Sequence, residues 1–485
     1  MTVLEVSWQI YYDTAAKISD GAAAFWNAID GEYPALMQAT EMTGTYSEAK
    51  EWAASYDERA TKLLELVTQT ADATHNYALI MQTLGHNHAT AEHTATYGTT
   101  APPPEAPTPI ASPVLACHVP LPSAGGPGYG LVDYGLGLCD KIGVPVPDGN
   151  ATTLSNASET WARIAAAPGV VDFLAVLEAA AAAFDDVIAP EAAFIDEDLR
   201  TVRAAVTDFI AGAQELATSC QSHREALDEL RTELRGHLET IAEALLWELG
   251  TTAAIGFVGS FFTFGGAAVA GSAAAVAIAA RYARPIRAMI EAWKTRRAIA
   301  AGVKMDADIA RHVAELERIE GMRPSGVPSR PAVPRKPDLS TDDVAAINDY
   351  ARDGSNLNEA LWNGTVTPAQ ADRIADVNAA LDKLPPYEGP VTRQITLTRD
   401  QLDRYEIGKN VIEPAFTSAS PPGKNIFSGN VEFQILSKNG KEIVDQVEGH
   451  YKREHEVLFK QPTEFHVVNK IPGPDGRTII QMMEI

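Results

Sequence analysis

Two proline-rich stretches constrain what this chain can fold into. The first, TAPPPEAPTPIASP, carries Pro102, Pro103, Pro104, Pro107, Pro109 and Pro113. The second, MRPSGVPSRPAVPRKPD, carries Pro324, Pro328, Pro331, Pro334 and Pro337. Proline fixes φ and lacks an N–H, so neither stretch can be helix interior or central strand, and both read as extended, semi-rigid spacers. Taking 100–115 and 321–339 as linkers divides the 485 residues into segments 1–99, 116–320 and 340–485. The whole is ample for real cores.

Segment 1–99 reads as helical. Tyr56, Ala60, Leu63 and Val67 recur at steps of four, three and four, which is one apolar face. Trp26 and Trp52 fall on two separate helices, whose stripes would bury against each other or against a partner's pair. In 196–248, Leu199, Val202, Val206, Phe209, Ala213, Leu216 and Cys220 keep a 3-4 spacing. Leu227, Leu230, Leu234, Leu238, Ile241 and Leu245 extend it, as long bundle helices require. Residues 249–280 then give 32 uncharged positions in a row. Their length suits a bilayer span, but they are rich in Gly and Ala, and Gly265–Gly266 can break them into a hairpin. A covered helical hairpin and a conditionally membrane-inserting segment both stay open. The basic run RYARPIRAMIEAWKTRR that follows suits anionic headgroups or solvent.

Segment 340–485 changes character. Residues 340–382 read as helices with Ser340 or Thr341 as N-cap. RQITLT, NVEFQILS, TEFHVVNK and RTIIQMMEI read as strands, with KNGK and GPDGR as turns. The expected fold is therefore multidomain. All-α N-terminal and middle regions precede an α+β domain with an antiparallel strand set.

Charge narrows the function. Lys plus Arg number 39 against 64 for Asp plus Glu, a formal net charge of −25, which repels phosphate backbones and argues against nucleic-acid binding. Cys117, Cys139 and Cys220 fit neither a disulfide framework nor a zinc pattern. His86, His88 and His93 read as surface or capping groups, and no metal is expected. The first 25 residues lack a basic leader and a continuous apolar core, so no Sec-type signal is expected. That leaves the cytoplasm, or export by a route that accepts folded helical substrates.

The chemistry concentrates near the C-terminus. Arg393 starts a strand, Phe416-Thr417-Ser418-Ala419-Ser420 follows, and Glu454-His455-Glu456 enters the strand VLF. Residues two apart in a strand share a face, so Glu454 and Glu456 are expected to point together, with His455 opposite. Paired carboxylates can divide their labour, one stabilising a cation and the other acting as base. An E-x-E alone is common, but the order Arg, Ser-x-Ser, Glu-x-Glu is far less so.

At these residues the chain resembles the arginine–serine–glutamate class of mono-ADP-ribosyltransferases, in particular bacterial toxin domains. LPPYEGPVTRQ, PAFTSAS, FSGNVEFQI and REHEVLFKQPTEFHVV carry the likeness. Ala419 stands where the family has Thr, and Gln394 where Gly is usual. The resemblance implies an ADP-ribosyltransferase fold with NAD as substrate. It implies that Arg393 pairs with the NAD diphosphate through a bidentate fork. Ser418, which holds Glu456, and Ser420 would line the NAD site. Glu456 would stabilise the oxocarbenium-like cation as nicotinamide leaves. Glu454 would take a proton from the incoming nucleophile, and a Glu there goes with arginine acceptors. Phe427 would stack on nicotinamide or be a core residue at a strand start.

MTGTYSEAKEWAASYDERATKLLELVTQTADATHNYALIMQTLGHNHATAEHTA is similar to the helical export region of actinobacterial toxins secreted by the type VII route, with WXG-like hairpins. PDGNATTLSNASETWARIA and CQSHREALDELRTELRGHL resemble their middle part. The Y-x-x-x-D/E signal and a W-x-G tripeptide are absent, Trp26 meeting Gly only at Gly31. The likeness implies a secreted toxin acting in a target-cell cytoplasm, with a target protein, an immunity protein and a type VII partner, and membrane contact through 249–280. An NAD glycohydrolase, or a secretion or membrane-interaction protein with a non-catalytic C-terminal domain, are the alternatives.

Overall fold

The computed structural model describes residues 7–96, 102–125 apart from 112, 114 and 117, 147–249, 281–303, 308–322, and 339–485 apart from 423, 425, 426, 474 and 475. The segment 249–280 lies outside them except for Leu249, as does most of the second proline-rich stretch, and so do Cys117 and Cys139.

Helices α1 (Trp8–Asp30) and α3 (Ser47–Ala95) form an antiparallel pair, with the short α2 (Tyr33–Leu36) between them. Near its N-terminus α1 lies so close to α3 that a Cβ on Gly85 would stand 3.0 Å from Tyr11 Cβ. The pair does not bury its stripes alone. It shares one apolar core with α4 (Ala151–Ala166), α5 (Pro168–Ala182), α6 (Ala192–Leu249), α7 (Ala283–Arg297) and α8 (Asp308–Glu320). Trp161 Nε1 donates to Tyr56 Oη at 2.8 Å, and Trp52 Nε1 to Ser219 Oγ at 3.1 Å, so the expected tryptophan and tyrosine positions tie α3 to α4 and α6. The 58-residue α6 carries the predicted stripe as far as Leu234, with Leu199, Val206, Phe209, Leu216, Leu227 and Leu230 all buried, and the side chains of Leu238, Ile241 and Leu245 lie outside the described ones. His88 reaches across to Glu191 at 2.6 Å rather than lying free on the surface. The first proline-rich stretch is not a free spacer. It runs as a strap along α3, where Gln82 bonds both Thr108 and Ile110, and its end buries Leu115.

In the C-terminal region α9 (Thr341–Asn363) starts at the expected Ser340, whose side chain accepts from Asp343 N in a capping box. α10 (Pro368–Asp382) is capped the same way by Thr367 and Gln370. The strands are β1 (Tyr387–Ile395), β2 (Asn410–Glu413), β3 (Thr417–Ala419), β4 (Val431–Glu442), β5 (Val457–Phe459), β6 (Thr463–Pro472) and β7 (Thr478–Glu484). The strand order is β2-β6-β7-β4-β5-β3, with β1 also against β4.

Two expectations fail here. The set is mixed, because β4 and β7 pair in parallel from Val431↔Thr478 to Leu436↔Met483. KNGK is not a hairpin turn but a bend within β4, which leaves β7 and then pairs β5 at Lys441 and Glu442. The bend is held by the buried Glu484 carboxylate, which accepts from Lys438 N and Asn439 N at 2.7 Å each. An anion from the last strand thus satisfies the amides that a hairpin turn would have exposed. GPDGR does turn, with Gly473 N bonded to Arg477 O.

Candidate active site

Strand β4 has two faces. Phe433 and Ile435 join Val391, Phe465 and Val467 in one core, above which a cleft of about 660 Å³ opens. Each residue that lines this cleft lies between 350 and 482. It brings together Arg393, Ser418, Ser420, Phe427, Glu454 and Glu456, all six residues singled out from the sequence.

The backbone explains how. Beside β1, Thr392 and Ser420 exchange both backbone hydrogen bonds at 2.8 and 2.9 Å, which sets Arg393 next to the Ser-x-Ser strand. Arg393 Nη1 donates to Ser418 O at 2.6 Å. Ala419 is buried in the core beneath the cleft, opposite Val457, and both it and Ser418 line the cleft. That placement accounts for Ala at this position. Gln394, the other departure, also lines the cleft, and its side chain donates to Glu432 at 2.7 Å.

The expected geometry of Glu454 and Glu456 is corrected. Gly449–Glu454 is a 3₁₀ helix, and His455 is left-handed at φ 44°, ψ 47°. Only Val457 begins β5, so period two does not apply across the pair. The turn at His455 nevertheless brings both carboxylates to the cleft. Ser420 Oγ donates to Glu454 O at 2.8 Å and fixes the start of that turn. The Ser420 proton is therefore committed to backbone.

Glu456 is 7% exposed. Burial pushes its carboxyl up to about 7, and the Glu454 charge pushes the same way, while the Ser418 hydroxyl and Arg393 oppose. Phe427 stands at the cleft rim, 51% exposed, so it is not a core residue.

One wall was missed from the sequence. Tyr350, Gly354, Asn358 and Trp362 all line the cleft from α9, at successive steps of four. That stripe was a legible signal. A Cβ on Gly354 would meet the Tyr350 ring at 2.7 Å, so glycine lets the ring lie along the helix. Asn358 clamps the strand entry, donating to Phe416 O at 3.2 Å and accepting from Phe416 N at 3.1 Å. Arg404 stacks over Trp362 at 4.6 Å. The lining thus holds the cations Arg352, Arg393 and Arg404 in a chain whose net charge is −25. Glu359, Glu413, Glu454 and Glu456 line the cleft as well, and its arginines and aromatic rings together can take up an anion that carries an aromatic group. Among the described residues no cluster of His, Cys, Asp and Glu could hold a metal.

No family model matches the chain. It is 40% identical over 152 residues to a protein of Mycobacterium avium named putative NAD(+)–arginine ADP-ribosyltransferase Mav, covering 30% of this chain and 18% of that one. It is 34% identical over 150 residues to the NAD(+)–protein-arginine ADP-ribosyltransferase Tre1 of Serratia proteamaculans, covering 30% and 33%. Among solved structures, ADP-ribosyltransferase Vis of Vibrio splendidus in complex with agmatine aligns at a TM-score of 0.27 and 24% identity, covering 30% of this chain and 76% of that one. The chain thus spans under a fifth and about a third of the first two relatives' lengths. In sequence, its C-terminal α+β region resembles bacterial arginine ADP-ribosyltransferase domains.

Proposed function

We propose that residues 340–485 cleave NAD at the nicotinamide bond and transfer ADP-ribose to a protein arginine. The observation that carries this is one cleft holding Arg393, Ser418, Glu454 and the buried Glu456. The sequence likeness to proteins named arginine ADP-ribosyltransferases supports it.

In this reading Arg393 pairs with the diphosphate, and Phe427 stacks on nicotinamide. Ser418 and Ser420 border the bound NAD, Ser420 by fixing the Glu454 turn. Ionised Glu456, oriented by Ser418, stabilises positive charge on the ribose as the C–N bond breaks. Nicotinamide leaves with the bonding electrons. Glu454 accepts the guanidinium proton as the arginine nitrogen attacks the anomeric carbon. Separation of the carboxylates' roles follows their surroundings, since Glu456 is buried and braced while Glu454 ends a 3₁₀ turn.

The helical region, 1–99 and 116–320, serves in this reading for export and delivery of a secreted toxin by a type VII-like route. The antiparallel α1–α3 pair supports it. An immunity protein then protects the producing cell, and the target-cell cytoplasm is the site of action.

The test is nicotinamide release from NAD by the full chain, with and without agmatine as an arginine analogue. Release is expected to rise with agmatine, and Glu456→Ala to abolish it. Glu454→Gln is expected to cut transfer by about 100-fold yet spare much of the NAD cleavage. Release indifferent to agmatine would make the enzyme an NAD glycohydrolase instead.

A further inference from the structure

The face of β4 opposite the cleft is also buried, and not by the C-terminal region. Leu436 and Ile479 belong to the apolar core of the helical region, and Val468, Ile471 and Met483 pack against it. Val468 is the extra residue where the β6–β7 register shifts, between Val467 and Asn469. The bulge turns Ile471 rearward, where alternation from the front-facing Val467 would have aimed it at the other core.

A polar node lies at the centre of this apolar contact. The Tyr33 hydroxyl accepts from Val119 N at 2.9 Å. It shares its proton between Val119 O at 2.6 Å and Gln434 Oε1 at 2.8 Å. Gln434 Nε2 returns a bond to Val119 O at 3.2 Å. Tyr33 is 1% exposed and Gln434 0%, so water cannot substitute for either partner. Undocked, the sheet would present Leu436, Ile479 and Met483 to solvent around two glutamines, Gln434 and Gln481, that are now fully buried. Among the described residues none of 1–320 lines the cleft on the other face.

We propose that the rear of the C-terminal sheet is a docking surface whose occupant is the helical region of the same chain, and that the enzyme works from this docked position with its cleft open, without release. Docking stands on the contacts alone, whereas activity in the docked state rests on the NAD-cleaving reading above. Geometry favours this arrangement over a masking role for the helices, because the covered face and the reactive face are opposite sides of one sheet.

The experiment places a protease site between residues 323 and 338 of the full chain, cleaves it, and runs native gel filtration beside a nicotinamide-release assay. The two fragments are expected to co-elute, and the cut and uncut proteins to release nicotinamide within about twofold of each other. In the cut protein Leu436→Asp is expected to separate the fragments. Should that variant not fold, Tyr33→Phe replaces it and is expected to weaken retention about tenfold by removing the node's hydroxyl. Separation of the unaltered fragments would overturn the docking surface. An uncut chain that is silent until the fragments part would overturn the open-cleft arrangement. Silence in every form would overturn the NAD reading instead, with co-elution still deciding docking.

Discussion

Two buried carboxylates, one in each region of the molecule, sit in opposite circumstances. Asp198 in the helical region is 5% exposed and accepts from Tyr77 Oη at 3.1 Å and Arg318 Nη2 at 2.6 Å. Glu456 is 7% exposed, has a second carboxylate as neighbour, and holds its proton up to about pH 7. Asp198 is paired as folding demands, because a buried charge without a partner is costly. Glu456 is left short of compensation where a cation is proposed to form. Asp198 is arranged for stability, while the cleft keeps a destabilised group whose missing partner is the developing charge of the reaction.

Glu456→Gln tests this contrast most severely. NAD cleavage is expected to fall about 1,000-fold, because the amide cannot offset the positive charge. Stability should move the other way at alkaline pH. The unfolded carboxyl loses its proton near its ordinary 4.5, whereas the folded one keeps it to about 7. Between those values the unfolded chain binds fewer protons, so this group's contribution falls as pH rises and is lowest above about 7. Thermal unfolding of the variant should therefore show a gain of up to about 3 kcal/mol at pH 8 and little at pH 4. The parent's kcat/KM should rise with pH through a midpoint near 7. Equal stability at both pH values would break the comparison.

Asn358→Ala sits between the two extremes. It removes both bonds to Phe416, two residues before Ser418. We expect a loss of about 2 kcal/mol together with about tenfold in kcat/KM, since the strand that orients Glu456 is no longer clamped. A stability loss with unchanged kinetics would reduce Asn358 to a scaffold residue.

Asp198→Ala should show the smallest functional effect. It strands the Tyr77 hydroxyl inside the bundle, while Arg318 can turn to solvent. Chemical denaturation should register about 2 kcal/mol, with nicotinamide release per folded molecule unchanged. A loss of turnover would mean that the helical region reaches the cleft in some way that the rear docking does not provide.

Local signals were legible where the physics is local. Ser340 caps its helix, the α6 stripe from Leu199 to Leu234 is buried as spaced, and the six candidate residues converge. Signals failed where a distant group intervened. KNGK has turn composition, but Glu484, 45 residues beyond Asn439, satisfies its amides and keeps it in the strand. Glu454-His455-Glu456 suggests strand period, but His455 adopts a left-handed conformation that its sequence neighbours do not announce. The Tyr350–Trp362 stripe went unread because cleft-lining and core-lining stripes share one helical period.

The sequence by itself determined the helical periods, the caps, the proline strap's exclusion from helix, and which side chains can bear charge on NAD or an acceptor. All of these depend on backbone geometry and side-chain chemistry within a few turns of chain. Tertiary structure alone decided that β4 and β7 run parallel, that β4 bends between two partners, and that Tyr33 meets Gln434 across 401 residues. Those outcomes depend on which surfaces exclude water together. That is a property of whole faces, and the strand pattern buries both faces of β4 alike, without saying which one meets a helix and which one opens to a substrate.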